Sequence, residues 1–249
     1  MKSLPSFIMS ILENIIRATQ YKEQLLAILI DPDKFEVDGN EKGSAFAKAY
    51  LKKIPAQTTH LFIGGSTDHN RKTEKVVQLL KAETDLPVIL FPGDYTQVTP
   101  EANALLFLSL LSGDNPEFLI GQQVKAARVV QQSNLEVIPT GYLLIDGGSQ
   151  TAVERVSNTQ PLSQDQPETI ITTALAGQYL GKKLLYLEAG SGARSAVQPH
   201  IIKSVCEAIT IPIIVGGGIR TERAMQAAFT AGATMVVVGT AFEDNTWNN

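Results

Sequence analysis

The chain has 249 residues, of which 44% are hydrophobic and 18% charged, so it has ample material for a folded core and does not resemble a disordered protein. Its formal net charge of -4 argues against nucleic acid as a partner, because phosphate backbones are bound by clustered Lys and Arg. Cys206 is the single cysteine, which excludes an intramolecular disulfide or a thiolate metal cluster and fits a reducing cytoplasm.

The first predicted element is an amphipathic helix near the N-terminus. Apolar residues recur at helical spacing between Phe7 and Ile16, with Glu13, Asn14 and Arg17 opposite. No small-residue cleavage site follows, and no apolar run approaches the roughly 18 residues of a membrane span. We therefore expect a helix that packs on the core.

From Leu25 onward, short apolar runs alternate with helical stretches. The runs suit buried parallel strands, because they are continuously hydrophobic rather than alternating. The eight predicted strands are Leu25–Ile30, His60–Ile63, Pro87–Phe91, Ala104–Leu108, Glu136–Leu144, Leu184–Leu187, Ile211–Val215 and Met235–Val238. The predicted helices between them are Lys42–Lys53, Arg71–Thr84, Pro116–Gln132, Pro167–Leu180, Pro199–Ala208 and Glu222–Ala231.

Two crossovers depart from the pattern. Only Pro92–Asn103 separates the third run from the fourth, so we expect an irregular third crossover, and only eleven residues follow Val238, which predicts a short final helix. The N-terminal helix can then cover the floor of the fold. Ser157–Gln166 is predicted to be a loop, and Cys206 to be buried on a helix and inert. No linker divides the chain, so we expect one domain over residues 1–249.

Eight βα units can form either a doubly wound sheet or a (β/α)₈ TIM barrel. A Rossmann domain places its phosphate loop after the first strand. Here the glycine-rich segments follow runs six, seven and eight, and barrels often bind phosphate with the loops after strands seven and eight. We therefore predict an α/β fold of the TIM-barrel type.

Two glycine-rich turns indicate a phosphate site. Val215–Arg220 contains three successive glycines and leads into a helix, and Val238–Ala241 follows the next strand. Glycine lets the backbone approach an anion and present its N–H groups, and a helix N-terminus adds favourable potential. The alternative is that these glycines only make tight turns.

The segment Tyr186–Gly192 places Glu188 at the end of the sixth run. A carboxylate beside phosphate-binding glycines suits a base, or a hydrogen-bond acceptor for a substrate hydroxyl. Ser191 and its neighbouring glycines supply further donors. The alternative is an ion pair of Glu188 with Arg194 or Arg220.

Asp31 ends the first run, within Ile30–Lys34, and Gly64–Thr67 ends the second. Hard oxygen ligands suit Mg²⁺, which commonly takes one or two carboxylates together with phosphate oxygens and water. Asp31 and a hydroxyl of the second loop are thus candidate ligands. The alternative is that Asp31 or Asp33 caps a turn.

Several chemistries lack their residues. His60, His69 and His200 are scattered, so a zinc site is not expected. No lysine is expected at the end of an interior strand, since Lys182 and Lys183 precede strand six, and a Schiff-base aldolase would lack its nucleophile.

Taken together, the motifs resemble the geranylgeranylglyceryl phosphate synthase family, also called the PcrB-like prenyltransferases. The resemblance runs from Leu25 to Glu243, and the form of the first motif is closest to the branch called group II. It rests on the combination of Leu29–Lys34, Phe62–Ser66, Leu90–Gly93, Tyr186–Gly192, Val215–Arg220 and Val238–Ala241. Thr240 stands where many members have Asn, and Leu29 where the shorter bacterial branch has Lys.

The resemblance implies a modified barrel without a regular third helix, in a dimer or hexamer. It implies an enzyme that joins sn-glycerol 1-phosphate to a long prenyl diphosphate through an ether bond, with Mg²⁺ as cofactor. Asp31 and Ser66 become Mg²⁺ ligands, and Glu188, beside Tyr186, becomes the catalytic acceptor of the hydroxyl proton. The implied substrate-binding residues are Tyr186, Leu187, Glu188, Ala189, Gly190, Ser191, Gly192, Gly216, Gly217, Gly239 and Thr240.

The residues agree with that chemistry. A diphosphate whose charge is neutralised is a good leaving group from an allylic carbon. Binding both substrates at the same end of the barrel makes the reaction nearly unimolecular. A tail of about 20 carbons needs an apolar groove, since each buried methylene contributes about 0.8 kcal/mol. Candidate groove residues, which are equally well explained as ordinary core, are Phe91, Pro92, Leu105, Phe107 and Tyr142.

Two other functions remain open at this point. One is a phosphate-binding barrel isomerase or lyase of small-molecule biosynthesis, in which Asp31 would act as a second acid or base opposite Glu188. The other is a silent phospho-ligand-binding protein. A requirement for Mg²⁺ and prenyl diphosphate would separate the transferase from both. Its product could bring transient contact with a membrane surface.

Overall fold

The computed structural model describes residues 9–37, 40–68, 70–244 and 247, and within them the chain forms a closed barrel of parallel strands. The strands are β1 (Leu25–Ile30), β2 (Thr58–Ile63), β3 (Val88–Leu90), β4 (Ala104–Leu110), β5 (Glu136–Leu144), β6 (Leu184–Glu188), β7 (Ile213–Gly216) and β8 (Met235–Val238). They follow one another around the barrel in chain order, and β8 closes it on β1. The predicted TIM barrel is confirmed.

Most of the helices cover the outside of the barrel, where they pack on the outward-facing side chains of the strands. In the described part of the chain they are α1 (Ile11–Tyr21), α2 (Asn40–Leu51), α3 (Thr73–Lys81), α4 (Gln122–Gln131), α5 (Ala152–Ser157), α6 (Pro167–Tyr179), α7 (Pro199–Ala208), α8 (Glu222–Thr230) and α9 (Thr240–Glu243). A single π-helical turn, Glu117–Gly121, leads into α4. The short final helix expected after β8 is α9.

The crossover from β3 to β4 contains one turn of 3₁₀ helix, Tyr95–Gln97, in place of a regular helix. The Asp94 carboxylate begins this turn by accepting from the Thr96 amide at 2.7 Å. Gln97 is buried, and its side chain accepts from Gly93 N at 3.2 Å and donates to Gly65 O at 3.0 Å. The irregular third crossover is confirmed, and Gln97 joins it to the loop after β2.

Side-chain capping accounts for two differences from the predicted helices. The Asp68 carboxylate accepts from the Lys72 and Thr73 amides, so α3 begins at Thr73 rather than Arg71. The helix α5 was not predicted, and it begins with a capping box in which Thr151 and Glu154 exchange side-chain and backbone hydrogen bonds.

The helix α1 closes the floor of the barrel, as expected from its amphipathic pattern. Ile15 and Ala18 are fully buried and belong to the cluster of side chains that fills the barrel interior. The amides of Ile11 and Leu12 donate to the carboxylate of Glu136, the first residue of β5, at 2.7 and 2.8 Å. Phe7 and Ile8, which were also assigned to this helix, lie outside the described residues.

The expectation that Cys206 is buried is wrong. It lies on α7, as predicted, but is exposed, because that helix turns Ile201, Ile202 and Val205 towards the core. Burial of part of the side chain, together with the neighbouring Glu207, raises the pKa of the thiol. In the part of the chain that the structure describes, no helix is both long and apolar enough to cross a membrane.

Candidate active site

A cavity of about 290 Å³ opens at the carboxyl ends of the strands. Asp31 and Ser66 line it from the loops after β1 and β2, and Glu188 lines it from the end of β6. Gly217 and Gly239 complete the lining after β7 and β8. The predicted site places these residues together, and all of them line this one cavity.

Glu188 is the last residue of β6 and is only 6% exposed. Burial raises the pKa of its carboxyl from 4.5 to about 7, because the charged form loses its hydration. The Gly190 amide, which donates to Oε1 at 2.7 Å, and the nearby Tyr186 hydroxyl act in the opposite direction. The suggested ion pair with Arg194 or Arg220 is not among those formed by the described residues.

Three aromatic rings form a stack at the centre of the mouth. The ring of Tyr186 lies 5.0 Å from that of Phe91 and 5.6 Å from that of Tyr142, near parallel to both. All three line the cavity. Burial raises the pKa of the Tyr186 phenol well above its ordinary value, and its hydroxyl lacks a hydrogen-bond partner of good geometry among the described residues. The hydroxyl is therefore suited to a polar ligand beside Glu188.

The glycines after β6 and β7 allow a close approach that other residues could not make. Gly190 and Gly217 have φ of +94° and +78°, where L side chains are strained. A Cβ on Gly217 would lie 2.5 Å from Gly190 N and 2.8 Å from Ala189 N. The Oγ of Ser191 lies 3.3 Å from Thr240 Oγ1, which brings together the loops after β6 and β8. These backbone amides and hydroxyls form a concave surface suited to a phosphate.

Asp31 has two structural roles. Its carboxylate accepts from the Asp33 amide at 3.0 Å and so begins a 3₁₀ turn, Pro32–Lys34, as the capping alternative required. It also lines the cavity, and burial raises its pKa. The Cβ position of Gly65, the neighbour of Ser66, lies 3.6 Å from the Asp31 carboxylate. The capping and ligand interpretations are therefore compatible.

These residues fit Mg²⁺. Asp31 offers a partly desolvated carboxylate and Ser66 a hydroxyl on the adjoining loop, and both are hard oxygen donors. Among the described residues, no group of three or more His, Cys, Asp or Glu side chains is arranged to hold a metal. The other ligands would be water and substrate phosphate oxygens, which is the usual arrangement for this ion.

An apolar groove continues from the mouth over the outer face of β4. It occupies the space that a regular third helix would have filled, so the irregular crossover and the groove have the same cause. All five predicted groove residues line the cavity, but Phe91 and Tyr142 do so in the aromatic stack of the mouth, and Leu105 and Phe107 belong to the outer face of β4. The crossover, the π turn, α4 and α5 add Val98, Phe118, Ala126, Val153 and Val156.

Some predicted residues lie behind the cavity rather than on it. The side chains of Leu187 and Ala189 are fully buried in the outer core, so only their backbone atoms are positioned to take part in binding. A Cβ on Gly216 would lie 2.9 Å from Glu188 Oε2, so a glycine at this position leaves room for that carboxylate. Gly192 and Thr240 do line the cavity.

Sequence reasoning missed two cations at the mouth. Lys34 and Arg220 both line the cavity. Lys34 belongs to the Asp-Pro-Asp-Lys motif and Arg220 ends the three-glycine turn, but neither side chain was assigned a role in the site. Membership of these two motifs was the only feature of the sequence that could have indicated their position at the cavity. Gln123, on the inner face of α4, was also missed, because helical spacing alone does not say which face borders a cavity.

Comparison with known proteins identifies the family. The model of the PcrB family matches residues 19–249. This chain belongs to the PcrB family. The resemblance seen in the sequence motifs is confirmed, and so is the enzyme class, the prenyltransferases.

The relatives match over nearly their whole length. Geranylgeranylglyceryl phosphate synthase of Zunongwangia profunda is 50% identical over 94% of this chain and 97% of its own. The enzyme of that name from Thermococcus kodakarensis is 40% identical over 93% and 89%. The crystal structure of the Thermoplasma acidophilum synthase in complex with sn-glycerol-1-phosphate superposes with a TM-score of 0.84 at 36% identity, covering 95% of this chain and 92% of that one.

Proposed function

We propose that this prenyltransferase joins sn-glycerol 1-phosphate to a long-chain prenyl diphosphate, with geranylgeranyl diphosphate as the expected donor. The observation that supports it most is one cavity in which a buried carboxylate, a glycine-lined concavity and an apolar groove meet. The Thermoplasma acidophilum relative was crystallised with sn-glycerol-1-phosphate. An isomerase or lyase acting on a small phosphorylated substrate would have no use for the groove.

The proposed reaction forms one ether bond. The phosphate of the acceptor rests on the loops after β6, β7 and β8, which directs one of its two free hydroxyls to Glu188. The bond between the allylic carbon and the diphosphate oxygen breaks, the hydroxyl oxygen bonds to that carbon, and its proton passes to the Glu188 carboxylate. The Tyr186 hydroxyl lies beside Glu188, where it can hold the reacting hydroxyl in place.

Two features of the chain favour this transfer. Positive charge that develops on the allylic carbon meets the faces of Phe91, Tyr142 and Tyr186, and aromatic faces attract cations. The groove binds the tail and excludes water from the mouth, so the glycerol hydroxyl is the nearest nucleophile. Bound at Asp31 and Ser66, Mg²⁺ would neutralise the charge that develops on the departing diphosphate.

The deciding experiment incubates the protein with sn-glycerol 1-phosphate, Mg²⁺ and prenyl diphosphates of graded length, and identifies the lipid products by mass spectrometry. With the longer donors we expect a prenylglyceryl phosphate ether, which phosphatase converts to the prenylglycerol ether. Absence of product with every donor, from protein that binds glycerol phosphate, would contradict the proposal.

The metal proposal has its own test. Asp31→Ala should remove the Mg²⁺-dependent part of the rate, because the carboxylate that would anchor the ion is lost, while Asp165→Ala, an exposed residue of the loop before α6, should keep it. The measurement is initial rate against Mg²⁺ concentration. An Asp31→Ala curve that matches the unmodified protein would remove Asp31 from the site.

We further propose that the enzyme works in the cytoplasm as a homo-oligomer, a dimer or hexamer, with transient contact between the product and a membrane surface. The family resemblance is the support for the oligomer, and the single cysteine for the compartment. Light scattering on purified protein measures the oligomer directly, and a monomer at micromolar concentration would contradict it.

A further inference from the structure

The charge of the cavity is unbalanced for the ligands it is proposed to bind. Its described lining contains three carboxylates, of Asp31, Asp94 and Glu188, and two cationic side chains, of Lys34 and Arg220. A phosphate monoester is close to a dianion at neutral pH, and a cationic side chain binds it more strongly than neutral donors alone, because charge-assisted hydrogen bonds are the stronger ones. Where that charge comes from decides how the acceptor is bound.

The concavity after β6, β7 and β8 supplies neutral donors only. They are the backbone amides around Gly217 and Gly239 and the hydroxyls of Ser191 and Thr240. Leu29 adds an apolar contact, with its Cβ 3.4 Å from the Cβ position of Gly239. The carboxylate of Glu188 lies beside Gly217, and it repels a phosphate when ionised.

The two cations lie on different loops, after β1 and after β7, and β8 separates these two strands in the barrel. Lys34 is on the loop after β1, three residues beyond Asp31, the proposed metal ligand. It therefore belongs to the side proposed for the metal and diphosphate. Arg220 is on the loop after β7, two residues beyond Gly218 and directly before Thr221, the N-cap of α8. Arg220 takes part in none of the ion pairs found within the described ranges.

We infer that Arg220 is the charged ligand of the acceptor phosphate, which it clamps against the amides and hydroxyls of the loops after β6, β7 and β8. A guanidinium can present two N–H groups to two phosphate oxygens, so it orients the phosphate as well as neutralising it. The inference rests on the proposed function for the identity of the acceptor. It adds the residue that supplies the positive charge.

The test measures binding without turnover. Isothermal titration calorimetry with sn-glycerol 1-phosphate, and separately with inorganic phosphate, compares the unmodified protein with Arg220→Gln, Arg220→Lys and Arg223→Gln. Arg223 lies three residues further on, in the first turn of α8, where it is exposed and does not line the cavity, so it is the matched control. Thermal unfolding checks that each variant is folded.

We expect Arg220→Gln to weaken glycerol phosphate binding by about tenfold or more, because a charge-assisted hydrogen bond is lost, and to flatten its dependence on salt. Arg220→Lys should fall between, and Arg223→Gln should match the unmodified protein. In the steady state, the KM for glycerol phosphate should rise in Arg220→Gln while the KM for prenyl diphosphate stays unchanged.

Two results would overturn the inference: equal affinity of Arg220→Gln and the unmodified protein for both phosphate ligands, or a rise confined to the KM for prenyl diphosphate. The proposed function fails separately. If the unmodified protein binds inorganic phosphate through Arg220 but does not bind glycerol phosphate, the role of Arg220 stands and the proposed acceptor is wrong.

Discussion

Glu188 has the properties of a general base that works near neutral pH. Its carboxylate is buried at the end of β6, is fixed by the Gly190 amide, and has a pKa of about 7. A carboxylate with its ordinary pKa would be a much weaker base for an alcohol proton. The same burial that makes Glu188 costly to ionise therefore suits it to the proposed role of base.

Glu188→Gln keeps the shape of the side chain and removes the base. We expect kcat to fall by about 10²- to 10⁴-fold, the usual contribution of a general base, with glycerol phosphate binding still detectable by calorimetry. Glu168→Gln, at an exposed position on α6, is the control and should leave kcat unchanged. Unaltered turnover in Glu188→Gln would exclude Glu188 from the mechanism.

The pH profile gives a second measure of the same residue. Since Glu188 must be ionised to accept a proton, kcat should rise with pH and level off above about 7. An inflection near the ordinary pKa of 4.5 would show instead that the carboxylate is hydrated when the substrates are bound.

At the scale of elements, the missing third helix leaves the space in which we propose that a long prenyl tail binds. The crossover keeps only Tyr95–Gln97 as an ordered turn, which leaves the outer face of β4 uncovered by a helix of its own. The helix α4 then provides the far wall of the groove, with Ala126 on its inner face. A small residue at that position leaves space between α4 and β4.

Ala126→Phe should therefore shift the preference of the enzyme towards prenyl donors with shorter chains. A larger side chain at this buried position fills volume that a tail would use, and each methylene excluded loses about 0.8 kcal/mol of binding. We expect kcat/KM to fall by about tenfold or more for a 20-carbon donor and to change little for a 10-carbon one. Ala127→Phe, on the exposed face of α4, is the control. Equal losses for both donors would place the tail elsewhere.

At the scale of the whole molecule, two buried groups oppose each other in their effect on stability. Burial lowers the pKa of His60, inside the barrel, from 6.5 to about 4. The folded state thus binds its proton more weakly than the unfolded state, and stability is lost as pH falls from 6.5 to 4. Glu188 has the reverse sign: its pKa is raised from 4.5 to about 7, so stability is lost as pH rises through that window.

The two effects should largely cancel between about pH 4.5 and 6.5, where each changes the free energy of unfolding by about 1.4 kcal/mol per pH unit. We expect urea unfolding of the unmodified protein to depend little on pH in this range. In Glu188→Gln stability should increase with pH, and in His60→Asn it should decrease. Parallel profiles for all three proteins would show that neither group titrates as described.

Particular residues show which parts of the candidate site could be predicted from the sequence and which could not. Asp31, Ser66 and Glu188 were identifiable because each ends a strand or begins the following loop, and the carboxyl ends of parallel strands meet at one edge. Arg220 and Lys34 were visible only as members of motifs, since the direction of a long side chain depends on its neighbours. The exposure of Cys206 was missed because a one-position shift on a helix turns a side chain by about 100°.

The sequence by itself determined the order of the strands, the helices between them except α5, the barrel class and the family, because hydrophobic periodicity and glycine positions are local properties of the chain. Only the tertiary structure decided that α1 closes the floor, that the space of the absent third helix is a groove, and that Glu188 has a pKa near 7. Those properties depend on which atoms displace water around a group, and distant segments of the chain supply those atoms.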